Sequence, residues 1–344
     1  MAGRVNILGA GIAACCSAHL LAQQGFAVCL ERSSKVRPAR LLLSEQTQSL
    51  FREIFSAPLL FAEAPRIRRR IVAWGENAQP IELPHSGIVL SEPELLSDLW
   101  QRVAVPTLVP SPAGATETTW TINSAQKSGS PTGSQGFGAR RASTFKVKLA
   151  EQAPQDCCWV ESLPDGWLFL LPYGEGHAML ISTGYSPDGL IEQSRLIVRQ
   201  IAALEDAAAP AHQFPAYSQI LPQLCGPLWL ACGSAAMSFD PLCGEGAGHA
   251  LREALLAAAV IRGAEKGYSV ETLFAHYNTR LMQAFLRHLQ VCLPFYQRGG
   301  HGEFWETEAA ALKSGVAWMQ SRLQNQTPAR YRLVGYELEP IAAS

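Results

Sequence analysis

The stretch Arg4-Val5-Asn6-Ile7-Leu8-Gly9-Ala10-Gly11-Ile12-Ala13-Ala14 decides the fold. Arg4 to Leu8 is a short β-rich run, Gly9 to Ala14 is punctuated by glycine, and Cys15 to Gln24 suits a helix. Phe26 to Leu30 is β-rich again and ends on Glu31. Strand, tight turn, helix, strand and acid follow one another in the order of a dinucleotide-binding βαβ unit. Gly9 permits the turn, and Gly11, lacking a Cβ, lets the backbone approach a pyrophosphate in the positive field of a helix N-terminus. Ala14 stands where a third glycine is usual, and its methyl is still small enough for a helix to pack on a strand. Glu31, with Arg32 beside it, ends the unit; a carboxylate there accepts hydrogen bonds from the ribose hydroxyls of an adenosine and repels a 2′-phosphate. FAD or NAD is therefore expected rather than NADP.

Working outward, 344 residues with 48% hydrophobic content suffice for two substantial lobes and exclude a disordered chain. Lys plus Arg number 28 against 29 for Asp plus Glu, so no charge excess points to nucleic acid or an anionic membrane. A small molecule or another protein is the expected partner. The apolar stretch from Val5 to Leu21 carries Asn6, two glycines and His19 rather than ending in a cleavage signal, and no signal peptide is read. Ala254 to Ile261 is too short to span a bilayer. Nine cysteines, an odd number with none in CxxC spacing, fit a reducing, cytoplasmic location, and adjacent Cys157 and Cys158 read as small buried hydrophobes.

Helices are expected over Ser44 to Ile54, Pro93 to Val103 (with Ser91 as N-cap) and Ser194 to Leu204, and through most of the chain from Gly244 to about Leu323. Strands are expected at Arg66 to Trp74, Pro80 to Leu90, Trp120 to Ile122, Phe145 to Leu149, Cys157 to Glu161, Trp167 to Leu171, Ala178 to Thr183 and Leu228 to Cys232. The four from Phe145 to Thr183 suggest an antiparallel meander, and Tyr331 to Leu338 reads as a terminal strand or extended arm.

A second glycine-rich segment lies far along the chain. Trp229-Leu230-Ala231-Cys232-Gly233-Ser234-Ala235-Ala236 leads through Asp240-Pro241-Leu242-Cys243-Gly244-Glu245-Gly246-Ala247 into an Ala- and Leu-rich helix. It resembles the late flavin motif of the p-hydroxybenzoate-hydroxylase-like superfamily. The resemblance implies that Gly233 and Ser234 hold a ribityl chain and that the turn containing Pro241, Gly244, Glu245, Gly246 and Ala247 abuts an isoalloxazine ring. Backbone N–H groups at such a helix start stabilise negative charge on the reduced flavin. Ser234 replaces the family's Asp, which removes the charge assistance to a ribityl hydroxyl.

Three further segments extend the likeness from Gly3 to about Gly263. Gly166-Trp167-Leu168-Phe169-Leu170-Leu171-Pro172 looks like the Gly-Trp-x-Trp-x-Ile-Pro segment of flavin-dependent halogenases. Leu43-Ser44-Glu45 is similar to the Gly-Glu step of halogenases and of the flavoproteins that modify tryptophan during quinone-cofactor maturation. Gly138-Ala139-Arg140-Arg141 is similar to the middle Asp-Gly motif, with Phe137 in place of the acid. A flavin halogenase also needs a lysine between flavin and substrate, usually in the segment after the Gly-Glu step. Glu45 to Leu99 contains none, and Arg68, Arg69 and Arg70 stay protonated, so halogenation ranks below hydroxylation. The arginine run from Arg66 to Arg70 reads as a solvated strand face, and His288 and Cys292, one helical turn apart, find no further metal ligands in register.

The expected fold is α/β: a discontinuous Rossmann-like FAD-binding domain (residues 1–60, 91–145 and 218–265), an inserted antiparallel β-sheet substrate lobe (61–90 and 146–217) and a helical C-terminal cap (266–344). The resemblance implies an FAD-dependent oxidoreductase, a monooxygenase hydroxylating an aromatic, tryptophan- or indole-like substrate, free or within a peptide, through a flavin C4a-hydroperoxide. Its active site would lie where the isoalloxazine meets the Trp167 strand. Reduction would come from transient NAD(P)H or a separate reductase, because no second nicotinamide motif is visible. A halogenase-like enzyme, an FAD-dependent dehydrogenase or reductase, and a non-catalytic flavoprotein or scaffold stay open as alternatives. No catalytic base is assigned, although His249 and Glu245 fall near the implied flavin edge.

Overall fold

A computed structural model describes residues 3–31, 40–103, 119–125, 133–205, 212–328 and 330–341. Arg32 lies outside the described residues.

Among the described residues there are six α-helices, in chain order α1 (Ile12–Gln23), α2 (Glu45–Ile54), α3 (Glu92–Gln101), α4 (Gly246–Glu265), α5 (Val270–Arg298) and α6 (Glu303–Gln324). The first sheet has five strands in the order Cys225–Gly226, Trp229–Ala231, Thr119–Asn123, Arg4–Leu8, Ala27–Glu31. Its last four strands run parallel, as a buried sheet with helical crossovers requires. Val5, Ile7, Ile122 and Leu230 have no exposure, and Ala14, Cys15, Cys16 and Ala18 of α1 are equally sealed. The small side chains of α1 let it sit close to its strands and to α4.

A nine-stranded, mostly antiparallel sheet forms the second body. Its order is Ile201–Leu204, Arg141–Leu149, His177–Gly184, Gly166–Gly174, Cys157–Leu163, Arg66–Ala73, Ile81–Ser91, Arg40–Ser44, with His212–Pro215 also paired to Arg141–Leu149. The meander read from Phe145 to Thr183 forms its centre. Cys157 and Cys158 are fully buried there, and burial pushes the Cys157 thiol up to about 11, with Cys158 adding to the shift. Helices α5 and α6 pack on each other and on the sheet, where Trp305 donates to the Leu163 carbonyl at 2.8 Å.

The helix expected over Ser194 to Leu204 is not formed; a short 3-10 turn, Val198–Gln200, precedes the strand Ile201–Leu204. The buried Glu161 carboxylate explains the difference. It accepts the amides of Arg195, Leu196 and Ile197 at 2.8, 3.0 and 2.9 Å and the Ser194 hydroxyl at 2.6 Å, wrapping the chain around one side chain. The terminal arm is a hairpin, Tyr331–Val334 with Glu337–Pro340. Among the described residues, no helix is long and apolar enough to cross a membrane.

Candidate functional site

Strand register puts the sequence-derived residues in one row. Leu8 pairs with Glu31 on one side and Asn123 on the other, and Asn123 pairs with Ala231. Three strand spacings of about 4.8 Å make this crest about 14 Å long. Glu31, Gly9, Ser124 and Cys232-Gly233 therefore leave the sheet at one level, at the carboxyl ends of parallel strands, where ligands of open α/β sheets bind.

The chain at this crest is packed too tightly for side chains below and is open above. Gly9 has φ 132° and its amide donates to the Glu31 carbonyl at 2.9 Å; a Cβ on it would run into the Ser124 hydroxyl. Gly233 has φ 58°, and a Cβ there would lie 2.7 Å from the Ala13 methyl. A Cβ on Gly11, Gly244 or Gly246 would instead meet nothing within 4 Å. Gly11 is the N-cap of α1, Gly246 opens α4, and both are exposed. The two helix starts lie side by side: Ala13 abuts Gly233, and the Cys16 thiol reaches the Leu251 carbonyl at 4.0 Å. Neither helix has a side-chain cap hydrogen bond or an acid within its first turn, although Glu245 is the N-cap residue of α4, so both leave first-turn amide donors without a side-chain acceptor.

Ser234 is exposed and donates to the Ser124 carbonyl at 3.3 Å. Pro241 opens a 3-10 turn, Pro241–Cys243, capped by the Asp240 carboxylate, which accepts the Leu242 amide at 2.9 Å. Gly244 follows in the left-handed region, at φ 64°. Ala247 is buried behind it. Glu245 lies 3.9 Å from Arg252 rather than capping α4. The start of α2 closes one flank, since a Cβ on Gly248 would meet the Thr47 hydroxyl at 2.7 Å. There Ser44 caps the Thr47 amide at 3.4 Å and Glu45 accepts from Ser86 at 2.5 Å. A cleft of about 290 Å³ adjoins this point, lined by Glu45, Gln48, Arg66, Arg68 and Ser86 among others.

The turn is fixed from beneath by a buried ion network. Arg140, wholly buried, donates to Asp240 at 3.0 and 2.6 Å and pairs with Glu308 of α6. Tyr296 donates to Asp240 at 2.8 Å and receives the Trp167 indole N–H at 3.0 Å. Burial alone would lower the Arg140 pKa, but its anionic and phenolic neighbours outweigh that and raise it. Trp167 is 1% exposed and supports the turn from below through Tyr296. Arg140 and Phe137, read as a middle flavin motif, are likewise interior: Phe137 packs on Phe285 and Trp318. His249 stacks on Phe239 at 4.0 Å, and burial, with His288, Arg252 and Arg287 adding, pushes its pKa down to about 4. It is neutral at pH 7.

Three contributors escaped the sequence reading. Trp100 of α3 donates to the Ala10 carbonyl at 3.1 Å and steadies the first loop. Ser124 donates its hydroxyl to the Leu8 carbonyl at 2.9 Å and accepts the Ser234 hydroxyl on its own carbonyl, tying the first loop to the second. Glu253 of α4, buried, accepts the Gly233 amide at 2.7 Å, and burial pushes it up to about 8. None carries a local motif. In addition, Cys243 joins His288 and Cys292 in a cluster whose polar atoms lie within 4.8 Å of one another.

The fold is that of the FAD-dependent halogenases and monooxygenases. Among solved structures, the chain aligns over 99% of its length with 86% of a peptidyl tryptophan dihydroxylase, QhpG, essential for tryptophylquinone cofactor biogenesis, at 20% identity and a TM-score of 0.73. It aligns over 95% of its length with 92% of the myxobacterial chondrochloren halogenase CndH, at 14% identity and a TM-score of 0.74. Klebsiella pneumoniae HpxO, solved with FAD and uric acid, matches 94% of the chain over 93% of its own, at 15% identity and a TM-score of 0.63. No protein-family model and no curated protein matches the sequence.

Proposed function

We propose that the chain is an FAD-dependent oxidoreductase, a monooxygenase acting on an electron-rich aromatic ring, with a tryptophan-like side chain as the leading candidate. The reading rests on the adjacent starts of α1 and α4, both opened by glycine, both uncapped, and both free of first-turn acids. The residues present fit the cofactor, because the positions that must admit it, Gly11, Gly244 and Gly246, have open space where a side chain would stand. The amides that follow Gly9, from Ala10 to Ala14, would hold the pyrophosphate, Glu31 the adenosine ribose, Gly233 and Ser234 the ribityl chain, and Pro241 to Ala247 the polar edge of the ring. Bound FAD supplies the redox centre that activates oxygen. The protein's part is to bind and orient it, to place donors at the α4 start where negative charge develops, and to exclude water.

The tryptophan-like substrate is inferred from QhpG, which aligns over nearly the whole chain, and from the similarity of Leu43-Ser44-Glu45 to the flavoproteins of that kind. The absence of lysine between Glu45 and Leu99 speaks against halogenation. A visible absorption spectrum of the purified protein, repeated with added FAD and then dithionite, tests the cofactor assignment. Protein-bound flavin bands bleached by dithionite are expected; a colourless protein that FAD cannot reconstitute would overturn it.

A further inference from the structure

Cys243 ends the 3-10 turn that leads into α4, and Cys292 lies in α5, 49 residues away. Their sulfurs are 3.3 Å apart. Cys243 is partly exposed and Cys292 is fully buried, so an oxidant reaches one thiol while the other waits behind it. His288, one helical turn before Cys292, places Nε2 3.5 Å from the Cys292 sulfur. That nitrogen also accepts the Asp240 amide at 3.0 Å, which fixes the proton on Nδ1 and engages the lone pair a metal ion would need. A disulfide requires the sulfurs to close from 3.3 Å to about 2.05 Å.

We propose that Cys243 and Cys292 are a reversible redox pair, oxidised by a hydroperoxide such as hydrogen peroxide to a disulfide that ties the turn before α4 to α5. The Cys243 thiolate attacks one peroxide oxygen; the O–O bond breaks and the departing hydroxide takes up a proton to become water. Cys243 is then a sulfenic acid. The Cys292 sulfur attacks it, the S–S bond forms, the S–O bond breaks, and hydroxide leaves with the Cys292 proton as a second water. Two thiols lose two electrons and peroxide gains them. Hydrogen bonding between the two thiols lowers the Cys243 pKa against the opposing pull of burial, while the same bond and burial raise that of Cys292. The partly exposed Cys243 is the nucleophile, and the buried Cys292 behind it is the resolving thiol. The other close pair on one strand, Cys157 and Cys158, is buried and pushed up in pKa, which leaves it inert.

The pairing does not depend on flavin, so its test fails separately from the cofactor assignment. The whole chain is exposed to hydrogen peroxide, quenched with iodoacetamide and mapped by non-reducing peptide mass spectrometry. A Cys243–Cys292 linked peptide is expected, reversed by dithiothreitol, with free thiols falling by two from nine. In Cys292→Ser, Cys243 should instead be trapped by dimedone as the sulfenic acid. Full alkylation of both cysteines after peroxide, linkage to other partners, or one equivalent of zinc in the isolated protein that blocks oxidation would each overturn the proposal.

Discussion

Helices α2, α3, α5 and α6 carry acids in their first turns, Glu45, Glu92 and Glu94, Glu271, and Glu303 and Glu306, and Ser44 and Ser269 cap two of them. Helices α1 and α4 have neither device. An isolated helix so built forfeits about 1 kcal/mol of capping and a comparable dipole term. The difference teaches that these two starts are held by tertiary structure: α1 by the Gly9 and Trp100 contacts, and α4 by the Arg140 network beneath Asp240. Their donors remain available to something outside the chain.

Breaking the support of α4 should have the largest effect. Arg140→Leu leaves Asp240 and Glu308 buried without their cation, and denaturant unfolding should show a loss of about 3–5 kcal/mol. Next is Glu253, whose pKa folding raises from its ordinary 4.5 to about 8. A raised acid favours the fold fully below pH 4.5, and that contribution drains away as pH climbs to about 8, an effect on the order of a few kcal/mol. Glu253→Gln keeps an acceptor for the Gly233 amide and should flatten stability across that window, seen as a difference in melting temperature from the native chain that moves steadily in the variant's favour between pH 4.5 and about 8. Smaller still is Ser269→Ala, which removes the cap from the start of α5, outside the proposed site. It should cost about 1 kcal/mol in unfolding and leave FAD affinity alone.

The first of the two starts was legible because its geometry is local: Gly9, Gly11 and Glu31 fall within one βαβ unit whose order announces the strand register. The second was legible only in outline. Gly233 and Gly244 to Gly246 could be marked, but Arg140, Tyr296 and Glu308, which fix the turn, approach from segments separated by 100, 56 and 68 residues from Asp240 or, for Glu308, by 168 from Arg140. The Ser194 to Leu204 helix failed because Glu161, on a distant strand, offers those amides a better acceptor than the helix would.

The central claim is that the α1 and α4 starts grip one FAD. Titration of the flavin-free protein with FAD, followed by flavin fluorescence, tests it in the native chain, Gly11→Asp and Gly246→Asp. Both sites have room for the side chain, and aspartate favours a helix start, so neither variant should lose thermal stability. Each should bind FAD at least about tenfold more weakly, a change of about 1.4 kcal/mol. Native-like affinity in either variant, or no saturable binding by the native chain, would contradict the account.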